Sequence, residues 1–445
     1  MFKNINKKEV INMSKLLKKQ PASRIIAEGF ILTILISSGL LMMPFSIKDG
    51  VHLSFIDALY TATSAVCVTG LVMVDAFDTF TIVGQILLAL MMQIGGLGVT
   101  AIGVGFIVAI GKKINLKDRN LIKEAMNLDS RKGVVKFIKN IFITTVIIEL
   151  IGAVLCFFVF IKDYSPFRAI GISLFHSVAA FNNSGFDILG GFQSLTVYKD
   201  NVSLMLITSG LIFLGGIGFL VIKEVISKKF KWRKFSMHTK VVLYMSFMLL
   251  VVGTILIKLT VNNITWLGAF FNSVSARTAG FSTFALNKFS TAGLLTMIGL
   301  MFIGASPGST GGGIKTSTFF VIVQGVKSAA TNESEKAFKY SIPKDAFKKA
   351  VVVMILAITV VFVSTYLLVI MDPNVPFIDA IFEMVSAFAT VGLSTGISQN
   401  LSIGSKILTI IVMFIGRLGP LTIATLWHFS RGELVRYPEG NITIG

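Results

Sequence analysis

Four short apolar stretches, each closed by a single glycine, recur along the chain and limit its fold more than any other feature. Phe55–Gly70 reads FIDALYTATSAVCVTG and Phe377–Gly392 reads FIDAIFEMVSAFATVG. Two weaker copies lie between them: Ile170–Gly185, IGISLFHSVAAFNNSG, and Thr265–Gly280, TWLGAFFNSVSARTAG. Ten positions before the closing glycine stands an aromatic residue in every copy (Tyr60, Phe175, Phe270, Phe382). Five positions before it the residue is small (Ala65, Ala180, Ser275, Ala387), and the residue after it is apolar (Leu71, Phe186, Phe281, Leu393). A fourfold internal repeat decides the architecture before any single segment does.

Each stretch is too short to cross a bilayer, which takes about 20 apolar residues, yet each lies between two segments that are long enough. A short helix running into extended backbone at membrane depth is tolerated only where protein buries it or an aqueous cavity receives it. Four such helices around an axis aim four C-termini at the centre, each carrying roughly half a negative charge. The backbone after each helix adds carbonyls, and the pattern describes a cation site. A glycine at its end is what backbone of positive φ requires.

The spans predict an all-α polytopic membrane protein of four repeats, each an outer, a short and an inner helix, around an axis. A tail at 1–24 precedes repeat 1 (25–111), with helices at 25–46, 55–66 and 79–111 and a loop at 67–71. A connection at 112–136 leads to repeat 2 (137–227), with helices at 137–161, 169–180 and 201–227 and a loop at 181–186. After a connection at 228–239, repeat 3 (240–326) has helices at 240–260, 266–275 and 291–326 and a loop at 276–281. A connection at 327–348 precedes repeat 4 (349–430), with helices at 349–371, 377–387 and 403–430 and a loop at 388–393, and a tail at 431–445. The chain is 54% hydrophobic and 14% charged, as a membrane protein should be. Its net charge of +19 is placed by topology and not by nucleic acid: 31 of the 41 Lys and Arg lie in 1–24, 112–139, 223–240, 327–349 and 431–436. These alternate with poorly charged loops, which puts the basic segments and both termini in the cytoplasm. The apolar run Ile25–Met43 is too long for a signal-peptide core and reads as a retained first helix.

The second long helices repeat as well. Ile94-Gly-Gly-Leu-Gly98, Leu214-Gly-Gly-Ile-Gly218 and Ile415-Gly-Arg-Leu-Gly419 align with one another and with the opening of Ile303-Gly-Ala-Ser-Pro-Gly308. Small residues of this kind permit close helix contact, and packing suffices for Gly95, Gly96, Gly215 and Gly216. It does not suffice at two places. In repeat 3 the motif expands into Gly304-Ala305-Ser306-Pro307-Gly308-Ser309-Thr310-Gly311-Gly312-Gly313. Four glycines at about 1 kcal/mol each and a proline at about 3 disfavour continuous helix, so this span is expected to break at mid-membrane. In repeat 4, Arg417 stands where the first two repeats have Gly96 and Gly216. A charge at that depth costs between about 2.5 and about 17 kcal/mol and must face a cavity or a partner.

Other chemistry is poorly supported. Gly308–Thr316, GSTGGGIKT, differs from a nucleotide P-loop because Ile314 separates Gly313 from Lys315 and no strand precedes it. Lys315 reads as a residue near the cytoplasmic end of the broken span. Cys67 and Cys156 give neither disulfide nor metal spacing. His52, His176, His238 and His428 form no cluster, and His176 reads as a hydrogen-bonded packing residue. Asp57 and Asp379 fall in the first turn of their short helices, where a carboxylate suits the dipole. Glu149, Glu224 and Glu383 are isolated, so no paired-carboxylate enzyme site emerges. An ion-coupled solute symporter would show paired halves and a substrate pocket, which a fourfold short-helix repeat does not fit.

The four glycine-ended loops, the glycine-rich break, the Gly416-Arg-Leu-Gly-Pro-Leu-Thr422 run and the Val435-Arg-Tyr-Pro-Glu-Gly440 tail resemble the Trk/Ktr/HKT superfamily of potassium transporters, most closely the membrane subunits of Ktr systems. The resemblance covers nearly the whole chain. It implies a pseudo-fourfold arrangement of the repeats around one ion pore. It implies a potassium-selective, non-enzymatic subunit of a bacterial uptake system, with K+ as the transported ion held by filter carbonyls. The implied filter is Val66, Cys67, Val68, Thr69 and Gly70; Phe181, Asn182, Asn183, Ser184 and Gly185; Ala276, Arg277, Thr278, Ala279 and Gly280; and Phe388, Ala389, Thr390, Val391 and Gly392. Unlike the Thr-Val-Gly-Tyr-Gly of channels, only one glycine per loop recurs. All four loops keep it, as potassium-selective members do, whereas relatives with Ser in the first loop tend towards sodium. The resemblance further implies that 304–313 is an intramembrane gating loop with Arg417 beside it. It implies a homodimer in the cell membrane on a cytosolic nucleotide-binding RCK ring, a separate chain that responds to ATP and ADP. The basic segments 112–139 and 223–240 are candidates to dock that ring.

Overall fold

The computed structural model describes residues 22–99, 101–103 and 133–426. Residues 1–21 of the expected N-terminal tail, the expected C-terminal tail, most of the connection at 112–136, His428 and the Val435–Gly440 motif lie outside the described residues. The fold is helical apart from a two-stranded hairpin, Lys336–Ala337 with Tyr340–Ser341.

Four long outer helices are α1 (Ala22–Leu41), α4 (Val134–Phe160), α8 (Met237–Thr260) and α12 (Lys344–Met371). All four are long and apolar enough to cross a membrane. Their outward faces carry exposed Leu35, Ile151, Phe247 and Phe362, which suits contact with lipid rather than water. The short helices are α2 (Phe55–Val66), α5 (Pro166–Phe181), α9 (Trp266–Ser275) and α13 (Phe377–Ala389). Two of them start on hydroxyl caps: Ser54 accepts from Asp57 N at 3.1 Å and Thr265 from Gly268 N at 3.0 Å. Such caps satisfy amides that would otherwise be orphaned at a helix start. The second short helix starts earlier than expected because Pro166 occupies its first turn, where proline's fixed φ is already helical.

The inner helices differ from the sequence expectation. Continuous helices were expected at 79–111, 201–227 and 403–430; all three break. α3 (Ile82–Leu97) stops at Gly98, α6 (Val202–Gly216) gives way to α7 (Phe219–Ser227) across Gly218, and α14 (Ile403–Leu418) gives way to α15 (Pro420–Ala424) across Gly419. These three glycines have φ of 88°, 91° and 88°, which no right-handed helix can contain. α7 consequently leaves α6 at 100°. The expected break in repeat 3 is there and is longer: α10 (Thr291–Phe302) and α11 (Thr316–Thr331) are joined by residues 303–315. Thr81, Asn201, Ser290 and Ser402 cap the four inner helices through their side-chain oxygens.

The repeats close into a ring. Each inner helix packs against the short helix of the next repeat: α3 on α5, α6 on α9, α10 on α13, and α14 back on α2. An ion pair of 2.7 Å between Lys406 on α14 and Asp57 on α2 fastens the last repeat to the first. Asp57 therefore serves the helix start and this closure.

Candidate ion pathway

The short helices end at the ring's centre, and the four closing glycines meet there. Gly70, Gly185, Gly280 and Gly392 have φ of 91°, 71°, 79° and 91°. A methyl group on each would strike the next loop in order. On Gly70 it would overlap the Ser184 carbonyl oxygen, and on Gly185 it would lie 3.0 Å from that of Ala279. On Gly280 it would lie 2.5 Å from the Val391 oxygen, and on Gly392 it would overlap the Thr69 oxygen and approach Gly70 Cα to 2.8 Å. Four glycines and the four carbonyls preceding them thus form a closed collar with no room for a side chain.

A second column emerges two positions earlier. Val68, Asn183, Thr278 and Thr390 all have positive φ, of 58°, 59°, 71° and 51°. These residues share no single side chain (a Val, an Asn and two Thr), and non-glycine residues seldom adopt this backbone. Fourfold recurrence of such strain marks a function for the loop shape. The first and fourth loops are further pinned by hydroxyls: Ser64 Oγ accepts from Gly70 N at 3.0 Å and Ser386 Oγ from Gly392 N at 3.1 Å. The second and third loops have Ala179 and Val274 at that position.

The remaining loop residues are divided between backbone and scaffold. Val66, Phe181 and Phe388 present carbonyls against Gly95, Gly215 and Gly416 of their own inner helices, where a Cβ would overlap each oxygen. Cys67, Ala276, Ala279, Ala389 and Val391 are buried. Arg277 was expected with the filter, but its guanidinium points away from the axis, donating to Ser246 O at 3.0 Å and Ser246 Oγ at 3.2 Å on α8. Its backbone alone belongs to the loop. Behind the second loop, the Asn182 amide donates to Gln93 Oε1 at 2.7 Å and Glu149 Oε1 at 3.0 Å. Glu383 accepts from Ser394 at 2.7 Å and also from Ser398. The two carboxyls are therefore not isolated, as the sequence suggested; they hold filter supports. His176 packs as expected, 2.8 Å from Thr208 Oγ1.

Outside the collar lies a vestibule of about 300 Å³ bordered by all four closing glycines, Asp75 and Asp187. Asp75 is occupied by the amides of Phe77, Asp78 and Phe192. Burial pushes the Asp187 carboxyl up to about 6; the Leu189 amide opposes this, and the Asp75 charge adds to it.

Inside the collar lies the loop 303–315. Ser306 N and Thr310 N donate to Gly216 O (3.0 Å) and Gly215 O (3.3 Å), and Phe219 N donates to Gly308 O at 3.0 Å. Gly312 N donates to Thr390 Oγ1 at 2.9 Å. A Cβ on Gly311 would overlap Thr278 Oγ1, and one on Gly304 would overlap Gly312 O. Ala305 O accepts from Thr316 N, and Ser306 Oγ accepts from the Thr316 hydroxyl at 3.0 Å. Pro307 O faces Gly218, and Ser309 Oγ is a buried hydroxyl with no hydrogen-bond partner among the described residues. Gly313, with φ of 68°, packs against Ala389. Arg417 donates to Thr310 O and Gly95 O, with Gly96 O at 3.4 Å. Lys315 is part of this assembly too, donating to Gly311 O at 2.6 Å and Gly312 O at 3.3 Å. The loop thus touches repeats 2 and 4 directly beneath the collar, and Arg417 bridges it to repeat 1.

The family profile described as TrkH, cation transport protein, matches residues 13–259 and 236–432. The chain is 36% identical to the Ktr system potassium uptake protein B of Bacillus subtilis, over 95% of this chain and 96% of that protein. It is 36% identical to the potassium/sodium uptake protein NtpJ of Enterococcus hirae, over 96% and 98%, and 37% identical to the Ktr system potassium uptake protein B of Vibrio alginolyticus, over 95% and 94%. The crystal structure of the potassium transporter TrkH from Vibrio parahaemolyticus shares the fold, with a TM-score of 0.70 at 18% identity over 90% of this chain and 86% of that one. The chain therefore belongs to the TrkH family of cation transport proteins, multi-pass membrane transporters and not enzymes.

Proposed function

We propose that the chain is the ion-translocating membrane subunit of a bacterial potassium uptake system. It conducts K+ down the membrane potential, which is worth about 2.3 kcal/mol per charge per 100 mV. The observation that carries this reading is the closed collar of Gly70, Gly185, Gly280 and Gly392 with its four carbonyls. Backbone carbonyls replace the hydration shell of a potassium ion, and the ends of the short helices add partial negative charge. Similarity to proteins named for potassium uptake supports the choice of ion.

In this reading residues 304–313 are the gate. Backbone rich in glycine has several conformations separated by a few kcal/mol. Arg417 holds the closed one through Thr310 and Gly95, and its charge repels a cation in transit. The subunit works as a homodimer with both termini in the cytoplasm, under a separate RCK ring that binds ATP or ADP. The four repeats keep the order of the sequence reading, with each outer helix starting three to five residues before the expected boundary, at Ala22, Val134, Met237 and Lys344. The test is rubidium and sodium flux into proteoliposomes under imposed potassium gradients. Rubidium flux that exceeds sodium flux and saturates with external K+ supports the reading; equal flux of both ions refutes potassium selectivity. A second reading, a pore admitting sodium as well, draws on similarity to a protein named for potassium/sodium uptake. The sodium arm of the same measurement decides it.

A further inference from the structure

α7 turns away from the ion pathway and runs toward the N-terminal end of α4. Between the two helices lies a groove of about 380 Å³ whose lining includes Lys136, Asn140, Ile143 and Thr144 from α4 and Lys223 and Ile226 from α7. Its chemistry changes along α4. Lys136 lies in the first turn; Asn140 and Thr144 follow one and two turns deeper on the same face. Ile143 and Ile226 are both exposed. At 1.5 Å per residue, the step from cation to apolar surface takes about 10 Å. A phospholipid has the same order: phosphate, glycerol esters, acyl chain.

The two ammonium groups are free for such a ligand. Neither Lys136 nor Lys223 has a carboxylate in ion-pairing range among the described residues. The Lys223 ammonium is held 5.1 Å from the centre of the Phe137 ring, which fixes it at the groove. The adjacent carboxylate, Glu224, is occupied by Lys228 Nζ at 2.5 Å, Ser236 N at 2.9 Å and Ser236 Oγ at 2.6 Å. Basic pockets between membrane helices on the positively charged side suit anionic headgroups.

We propose that this groove binds an anionic phospholipid, with its phosphate between Lys136 and Lys223 and an acyl chain along Ile143. A zwitterionic lipid brings its own cation and forfeits most of the Coulomb gain. A soluble phosphate gains nothing from the apolar floor. α7 begins beside Gly218, and Phe219 N is bonded to Gly308 O. On the gating reading above, lipid occupancy therefore acts on a helix tied to the gate.

The test uses the full chain purified from membranes containing phosphatidylglycerol and phosphatidylethanolamine, with retained lipid counted by native mass spectrometry. Lys136→Gln and Lys223→Gln are each expected to lower phosphatidylglycerol retention about fivefold, the equivalent of about 1 kcal/mol per cation at an anionic surface, and to leave phosphatidylethanolamine unchanged. Ile143→Trp fills the apolar floor without touching a charge and is expected to lower retention as well, so the proposal stays testable if a lysine variant fails to assemble. Unchanged phosphatidylglycerol retention in the double lysine variant or in folded Ile143→Trp would overturn it. So would equal retention of the two lipids, displacement by millimolar glycerol phosphate, or cross-links showing that residues 104–132 or a regulatory ring fill the groove. Loss of retention with unchanged ion flux would support the lipid site while cutting its link to the gate.

Discussion

The collar and the level beneath it are built from the same four repeats and obey different rules. At the collar every repeat contributes the same part: a glycine of positive φ, a residue of positive φ two positions earlier, and a carbonyl against the neighbour. One level inward the equivalence ends. Three inner helices break at a single glycine, whereas the third opens into residues 303–315 and the fourth adds Arg417. On the proposed reading, an ion on the axis is offered one carbonyl from each repeat in the first layer and meets an obstruction from one side in the second. Symmetry would then serve coordination, and its loss control.

The sharpest way to break this contrast is to substitute the collar. Alanine at Gly70, Gly185, Gly280 or Gly392 should be costly at every position, since each Cβ would be forced onto the backbone of the next loop at 3.0 Å or less, least tightly at Gly185. Strain of about 3 kcal/mol at such backbone corresponds to a loss of potassium-over-sodium discrimination of about 100-fold. Rubidium and sodium fluxes measured side by side check it, and one silent position among the four would end the claim of equivalence.

At the lower level the same substitution should give unequal results. A Cβ on Gly98 meets nothing within 4 Å, but one on Gly218 would lie 2.6 Å from Pro307 O. Gly98→Ala therefore bears only backbone strain, about 1 kcal/mol, whereas Gly218→Ala should cost about 3 kcal/mol and displace the loop. Thermal unfolding in detergent distinguishes them; matched melting temperatures would contradict the packing described here.

Removing the Arg417 side chain takes away charge-assisted bonds worth about 1.5 kcal/mol or more, so Arg417→Ala should raise basal flux per assembled dimer about tenfold. Deleting Gly311–Gly313 should act in the same direction. A folded Arg417→Ala dimer with wild-type flux, still dependent on the regulatory ring, would place the gate elsewhere.

The smallest effect belongs to the vestibule. Asp187 is held near 6, so it is charged above that pH and neutral below it. Uptake at low external potassium should decline about threefold as pH falls from 7.5 to 5.5, by loss of local cation attraction. Asp187→Asn should show the low-pH rate at both values; a variant that keeps the wild-type pH profile would exclude Asp187 as the cause.

The sequence made the collar legible because repeats align and glycine has one compelling reason to recur at a fixed place. It also exposed the break at 304–313, where several unfavourable residues accumulate. Gly98, Gly218 and Gly419 lay inside spans expected to be continuous, because one glycine in an apolar run costs only about 1 kcal/mol of helix. The positive φ of all three marks the breaks, and of the three only Gly218 would place a Cβ against another repeat, at Pro307 O. The column Val68, Asn183, Thr278 and Thr390 was invisible for a different reason: shared backbone geometry left no side chain common to all four. Arg277 misled because its loop position suggested the axis, whereas its reach was to Ser246. Glu149, Gln93 and Asn182 are far apart in sequence and carry no motif, so only the fold brings them together.

The order of packing around the ring has a consequence for how the protein is made. Because each inner helix rests on the short helix of the following repeat, the last repeat must return to the first, through Gly392 on Gly70 and Lys406 on Asp57. A nascent chain carries an open arc until its final quarter has entered the membrane. A product truncated before residue 377 lacks a quarter of the collar and, on the proposed reading, has no complete site for a dehydrated ion. On that reading, premature termination should leave an ion-impermeable fragment rather than a hole in the membrane.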